Sequence, residues 1–258
     1  RVRWGDVVAV RGVVFWLSCW LWLSAQSAAV ASEPRLVYLG QGAPGALVNA
    51  EACMLPAGLD PKRPVIVLVH GFNPFPRLVR FDFLAAAGAR GCMADPCGTQ
   101  VVAWDWNADT RPTMSPAANT RNAVCHGVRL ARALAEAGAT PCLTHLVAHS
   151  LGCVVVAAAA REWVAMTGEP VGRVTLLEPL AGQHALIFDH LGIARSTCFV
   201  EHRWSPGPSG YGRASGTPGV WDRRVVGPTP LWGVLSPAHS SHVYVLRAYL
   251  REFSGTGR

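Results

Sequence analysis

A run of apolar residues that stops at a serine constrains the fold of this chain more than any other feature. Residues 143–149 are mainly apolar, Ser150 follows, and small apolar residues then continue without proline to Ala160. This pattern predicts a buried strand, a sharp turn at the serine and a buried helix. The serine hydroxyl at such a turn projects above the end of the sheet, so its neighbours must be small. Gly152 meets this requirement, and Ala148 stands where glycine is usual.

Strand and helix patterns alternate along the rest of the chain. The alternation predicts an α/β fold with one mainly parallel sheet and helices on both of its faces. Residues 205–240 combine proline, glycine and serine with several large aromatic residues, which predicts an ordered loop rather than a linker. The predicted strands cover 36–39, 65–69, 100–104, 144–148, 174–177 and 197–200, and the predicted helices cover 81–90, 116–137, 151–160 and 241–253.

The first 31 residues have the pattern of a targeting segment. A basic start precedes an apolar stretch over 13–23, and Ala29 and Ala31 form a small-x-small cleavage site. We therefore predict a signal peptide over 1–31, a mature domain over 32–258, and a secreted or periplasmic location. The alternatives are an uncleaved membrane anchor and lipidation at Cys19, which follows only a partial lipobox.

Export would permit disulfide bonds. Cys92 and Cys97 flank a turn-rich loop that one bridge could close, so we predict a disulfide between them. Mass mapping of non-reduced peptides that found both thiols free would contradict this pairing. Cys153 lies in the apolar helix pattern and is predicted to be a packed core thiol rather than a nucleophile.

Composition argues against several classes of function. The net charge of +7 comes almost entirely from scattered arginines, with no basic run interleaved with aromatics, so nucleic-acid binding is not expected. The group formed by Gln183, His184, Asp189 and His190 has no spacing specific for a metal ion. We therefore expect no metal and no cofactor.

A serine at such a turn suggests nucleophilic catalysis, which needs a base and an acid that orients the base. In hydrolases of this architecture the chain order is serine, acid, histidine. His239 and His242 both lie late enough to supply the base. His149 precedes Ser150 directly, but its side chain points elsewhere along the strand, so a structural role is predicted for it.

Two glutamates could supply the acid, because each follows a predicted strand. Glu178 follows the strand after the serine turn, and Glu201 follows the next strand. Asp189 and Asp222 fit less well. The oxyanion of an acyl-transfer reaction also needs amide donors. One would be the backbone N–H of Leu151, and the other would come from the loop after the 65–69 strand.

These features together resemble the pancreatic-lipase-like branch of the α/β-hydrolases. The resemblance covers about 65–253 and rests on the order and spacing of 70–72, 104–106, 148–152, 177–179 and the segment around His242. It implies an α/β-hydrolase fold, an oxyanion amide from Phe72, Glu178 as the acid in place of aspartate, and His242 as the base. The chain departs from the family at Ala148, and we expect no counterpart of the carboxy-terminal lipid-docking domain found in the larger animal enzymes.

The resulting hypothesis is an exported serine lipase or esterase acting on carboxylic esters. Its partners would be small ester or lipid substrates, and the protein could contact lipid surfaces peripherally. Two alternatives remain open: a catalytically silent α/β-hydrolase used as a binding module, and a peptidase or acyltransferase with the same residues. The sequence does not separate these alternatives.

Overall fold

The computed structural model describes residues 35–38, 58–72, 98–106, 116–206, 212–226 and 241–253 of the chain. Several sequence predictions lie outside these residues. They are the targeting segment over 1–31, the helix over 81–90, the disulfide between Cys92 and Cys97, and the alternative base His239.

The centre of the fold is an open seven-stranded sheet with the strand order β1-β3-β2-β4-β5-β6-β7. Strand β1 is antiparallel to β3 at one edge, and every other pair of neighbouring strands is parallel. The strands are β1 (Arg35–Tyr38), β2 (Val65–Val69), β3 (Gln100–Asp105), β4 (Thr144–His149), β5 (Val171–Leu177), β6 (Thr197–Trp204) and β7 (Val220–Arg224).

Three long helices cover the sheet: α1 (Pro116–Glu136), α2 (Gly152–Thr167) and α3 (Ser241–Phe253). Short helical turns occur at Pro141–Leu143, Ala181–Gln183 and Ile193–Arg195, and Ala185–His190 forms a π-helix. Within the described residues, no helix is long and apolar enough to cross a membrane.

The side chains of the sheet form two apolar layers, one on each face. On the first face, Val67 and Leu146 belong to the large core that includes the inner residues of α1 and α2. On the second face, Leu68 and Val147 pack with Val245, Leu246 and Tyr249 of α3. Helices therefore lie on both faces, and the predicted α/β fold with one mainly parallel sheet is confirmed.

Helix α2 is apolar around its whole circumference over its first nine residues, because it lies between the sheet and α1. Every side chain from Gly152 to Ala160 is buried. A helix of this kind belongs inside a protein rather than at its surface. This burial fixes the start of the helix, and with it the turn at Ser150, against the end of β4.

The structure corrects the bounds of several predicted elements. Strand β6 continues to Trp204, so Glu201 lies within it rather than after it. The stretch 205–240, predicted as a loop, contains strand β7 at Val220–Arg224. Both segments contain charged residues. The pairs that these residues form with neighbouring strands can be recognised only once the strand register is known.

Candidate active site

Ser150 lies in the turn between β4 and α2, and its backbone has a φ of +55°. A positive φ is rare for a residue with a Cβ atom and costs about 1–3 kcal/mol where it persists. The side chain is almost fully buried. The predicted sharp strand-to-helix turn is therefore present, with its serine in a strained conformation that aims the side chain away from the strand direction.

Two glycines allow the chain to pass close to Ser150. A Cβ atom at Gly152 would lie 2.6 Å from the carbonyl oxygen of His70, and one at Gly71 would lie 2.7 Å from Cβ of Ser150. Neither position can carry a side chain without movement of the backbone. The loop after β2 and the turn after β4 therefore touch directly, with Ser150 at the contact.

Gly152→Ala is expected to destabilise the protein by about 2–3 kcal/mol, because the added methyl group must push the His70 carbonyl away. The same movement shifts the loop that touches Ser150, so hydrolytic turnover should fall as well. Urea unfolding and ester turnover measure the two effects. Gly182→Ala is the matched control, because a Cβ there meets no atom within 4 Å. Equal stability of the two variants would contradict this close packing.

The predicted oxyanion donors lie on the two sides of this contact. Leu151 is the cap residue at the start of α2, where backbone N–H groups have no acceptor within the helix. Phe72 follows Gly71 in the loop after β2, and its side chain is half exposed. The structure thus brings the segments of both predicted donors to Ser150, as the sequence suggests.

Glu178 directly follows β5 and is the second described non-glycine residue with a positive φ, at +51°. Its backbone is next to the serine turn, because the N–H of Ser150 donates to the carbonyl of Leu177 at 2.9 Å. Strained residues of this kind cluster at functional sites. The two positive-φ side chains therefore stand at the carboxyl ends of neighbouring strands.

The carboxyl group of Glu178 is fully buried. Its Oε2 accepts one hydrogen bond, from the N–H of Ser205 at 2.8 Å, and Oε1 has no hydrogen-bond partner within the described residues. Burial raises the pKa of Glu178 to about 8, and the bond from Ser205 only partly opposes this rise. A carboxyl group with so perturbed a pKa at a strand end is a candidate functional group.

A segment after β6 covers Glu178. A Cβ atom at Gly212 would lie 2.7 Å from Oε1 of Glu178 and would clash with the carbonyl of Ser205. The same segment is held by Asp222 of β7, whose carboxylate accepts from the backbone N–H groups of Ser215 and Gly216. Part of the stretch predicted as an ordered loop therefore lies over the candidate acid.

The carboxylate of Glu201, the alternative acid, is paired with two arginines. Its carboxylate accepts from Nε of Arg203 at 2.5 Å and from Nη2 of Arg173 at 2.7 Å. Arg203 also donates to Glu252 near the end of α3 at 2.7 Å, and Glu252 accepts two further bonds from Arg223. This network joins β5, β6 and β7 to α3 on the second face of the sheet.

Arg203→Met is expected to lower the free energy of unfolding by about 3 kcal/mol, because the fully buried Glu201 would lose its closest cation. Arg223→Met removes an exposed member of the same network and should cost less than about 1 kcal/mol. Chemical denaturation of both variants makes the comparison. Similar losses of unfolding free energy in the two variants would show that burial does not determine how much each arginine contributes to stability.

His242, the predicted base, is the second residue of α3 and packs against His149. The two rings lie 4.5 Å apart between centroids, and Nε2 of His149 is 3.0 Å from the carbonyl oxygen of His242. Burial lowers the pKa of both imidazoles, that of His149 to about 4. Both rings are therefore neutral near pH 7, the state that a general base requires.

The structure brings the predicted residues together to different degrees. Ser150 contacts the oxyanion loop at Gly71 and the backbone before Glu178, and its chain neighbour His149 contacts His242. Within the described residues, no hydrogen bond joins the carboxyl group of Glu178 to an imidazole, and none joins the Ser150 hydroxyl to His242. The structural role that the sequence predicts for His149 stays a prediction.

The structure contains a buried histidine–aspartate pair that the sequence does not predict. Nδ1 of His202 on β6 lies 2.6 Å from Oδ1 of Asp222 on β7. The ring of His202 packs against His184 and Phe188, and burial lowers its pKa while Asp222 opposes that effect. Twenty residues separate the two partners, so only the strand register could have revealed the pair.

The sequence predicts neither a metal site nor a reactive thiol in this protein. The described part of the chain has no group of three or more His, Cys, Asp or Glu side chains arranged to hold a metal ion. Cys153 is fully buried, its Sγ lies 3.5 Å from the carbonyl of Ala148, and burial raises its thiol pKa. The prediction of a packed thiol is confirmed.

No protein-family model and no curated protein matches this sequence. Among solved structures, an esterase from Pseudomonas putida is similar at 16% identity and a TM-score of 0.40, covering 77% of this chain and 75% of that one. A predicted CIB-like hydrolase from Thermoplasma acidophilum shares 15% identity, with a TM-score of 0.42 and coverage of 76% and 89%.

A Pyrobaculum calidifontis esterase is similar at 15% identity and a TM-score of 0.41, covering 77% of this chain and 78% of that one. All three similarities are low in identity and in TM-score.

Proposed function

We propose that this protein is a serine hydrolase that cleaves carboxylic esters through an acyl-enzyme on Ser150. The observation that carries the proposal is the strained turn at Ser150, with φ of +55°, pressed against the glycine loop after β2. Strand, strained serine and buried helix form the context that a nucleophile elbow requires. The close approach of Gly71 puts backbone amides within reach of a tetrahedral intermediate.

In the proposed reaction, the hydroxyl oxygen of Ser150 attacks the ester carbonyl carbon while its proton passes to the neutral imidazole of His242. The negative charge that forms on the carbonyl oxygen is stabilised by the backbone N–H groups of Leu151 and Phe72. The imidazolium then protonates the departing alcohol, which leaves an acyl-enzyme. Water, deprotonated by the same imidazole, attacks the acyl carbon and releases the carboxylic acid and free serine.

We assign the acid of the proposed triad to Glu178, the position used in the pancreatic-lipase-like branch. Its backbone adjoins the serine turn, its conformation is strained, and one carboxyl oxygen has no hydrogen-bond partner within the described residues. Glu201, in contrast, is already paired with two arginines. To orient His242, the Glu178 carboxyl would have to reorient, which its oxygen without a hydrogen-bond partner among the described residues permits.

We also propose that residues 1–31 direct export, on the basis of their basic start, apolar stretch and small-residue cleavage site. The substrate would then be an ester or lipid encountered outside the cytoplasm. Amino-terminal sequencing of the protein recovered after expression in a secreting host would test this. Recovery of an uncleaved chain would favour the anchor instead.

A fluorophosphonate probe tests the proposed nucleophile directly, because it reacts with activated serines and not with ordinary hydroxyls. We expect labelling of one peptide that contains Ser150, and we expect p-nitrophenyl esters of increasing acyl length to compete with the probe. Rates across that ester series would define the acyl-chain preference. Gly182→Ala, in which the added methyl group meets no atom within 4 Å, is the control variant that should still be labelled.

The possible outcomes separate the candidate functions. Labelling with ester turnover supports the hydrolase. Labelling with turnover of amides alone, or with transfer to an added acceptor, would indicate a peptidase or an acyltransferase. A folded protein that neither reacts with the probe nor turns over any ester would overturn the proposal in favour of a binding module.

A further inference from the structure

A hydrogen bond links the strand that carries the proposed nucleophile to the helix that carries the proposed base. His149 is the last residue of β4 and directly precedes Ser150. Its side chain lies on the opposite face of the sheet from α2, where Nε2 is 3.0 Å from the carbonyl oxygen of His242. His242 in turn is the second residue of α3.

The chemistry of this contact determines its direction. A carbonyl oxygen can only accept, so Nε2 of His149 must carry the proton and donate it. The ring of His149 also packs on the ring of His242 at 4.5 Å between centroids. One side chain therefore holds both the backbone and the imidazole of His242.

We propose that His149 is a positioning residue that sets the distance between Ser150 and His242 through its hydrogen bond to the start of α3. This inference rests on the proposed function and extends it to a residue that transfers no proton. Because His149 and Ser150 are consecutive, the bond ties the base helix to the strand end from which the nucleophile projects.

The rest of α3 explains why this contact at the start of the helix matters. Near its end, Glu252 is tied to the sheet through Arg203 and Arg223. In the middle of the helix, Val245 and Leu246 are held by apolar packing, which has no directional preference. His149 supplies a directional contact at the first turn, where His242 stands. Misplacement of a reacting group by about 1 Å can cost about 100-fold in rate.

The test compares two nearly isosteric replacements. His149→Gln keeps an N–H donor at about the position of Nε2, whereas His149→Met has similar volume and no donor. We expect His149→Met to lower kcat for p-nitrophenyl esters by about 10- to 100-fold with KM unchanged within about twofold. His149→Gln should recover most of that loss. His145→Met is the control, since His145 shares the strand and the face but bonds Thr175 instead.

A second variant separates positioning from general support of the fold. In a His242→Ala background, His149→Met should cause little further loss of turnover, because the group it positions is already gone. The same fold-loss in both backgrounds would overturn the inference, as would equal turnover of the Met and Gln variants. If the wild type shows no Ser150-dependent turnover, the proposed function fails first and the inference falls with it.

Discussion

Ser150→Ala should lower ester turnover by at least about 1,000-fold while leaving the protein folded. The serine oxygen is the only atom removed, and the acyl-enzyme of the proposed mechanism forms on it. The residues of a triad act as a unit, so loss of the nucleophile removes most of the catalysis that the unit supplies. Initial rates on a short p-nitrophenyl ester, at saturating and at low substrate concentration, measure the effect.

The stability of Ser150→Ala checks that the loss is chemical. Alanine retains the Cβ atom and therefore the strained φ, so the free energy of unfolding should stay within about 1 kcal/mol of wild type. His242→Ala should be nearly as damaging to turnover as Ser150→Ala, and His239→Ala should be close to wild type. Near-normal turnover in the serine variant would refute Ser150 as the nucleophile. An inactive His239→Ala would show that His239, and not His242, is the base.

Glu178→Gln should stabilise the protein at alkaline pH and leave its stability nearly unchanged at about pH 4. The folded-state pKa of Glu178 is raised to about 8 from an ordinary value of 4.5, because the carboxyl group is buried. Its contribution to stability is therefore fully present below pH 4.5 and is lost as pH rises through 8. Since one pKa unit corresponds to about 1.4 kcal/mol, the gain by glutamine above pH 8 could reach about 5 kcal/mol.

Urea unfolding of wild type and Glu178→Gln at several pH values between about 4 and 10 measures this difference. Glu162→Gln is the control, because Glu162 forms an ion pair with the exposed Arg132 at the surface and should change stability by less than about 1 kcal/mol throughout. Parallel curves for wild type and Glu178→Gln would mean that Glu178 is already ionised in the folded protein near neutral pH.

Because of the same carboxyl group, turnover should also depend on pH in the alkaline range. A triad acid must be ionised to stabilise the imidazolium that forms during the reaction. Turnover of wild type should therefore rise as pH passes about 8, and this rise should be absent in Glu178→Gln. The loss of activity should be smaller than for His242→Ala, because the acid transfers no proton itself. If Glu201→Gln loses most of its turnover while Glu178→Gln stays active, the acid is Glu201 and not Glu178.

The sequence alone predicted the elements whose residues are buried on both sides. Val65–Val69 is a continuous apolar run and Thr144–His149 contains the apolar run 146–148, which is the pattern of strands inside a parallel sheet. The serine turn was equally visible, because a strand, a serine and a uniformly apolar helix follow one another without a break. These signals are local, and each can be read from a few consecutive residues.

Strands with polar side chains were underestimated because their partners are distant in the chain. Strand β6 extends to Trp204 through Glu201, His202 and Arg203, which the sequence suggests to be a loop. Strand β7 carries Asp222 among arginines. Each of these charged groups is satisfied by a neighbour across the sheet or on α3, so the burial that normally excludes charges does not exclude them here.

The identities of the proposed nucleophile, acid and base were thus available from the sequence, as residue types at characteristic places along the chain. Their environments were decided by the tertiary structure. The carboxyl group of Glu178 is covered by the segment after β6, and the carboxylate of Glu201 is bound by Arg173 and Arg203 of the same sheet. The contact between His149 and His242 spans 93 residues. Hydrogen bonds and burial at such separations depend on strand register and helix docking, which no local pattern encodes.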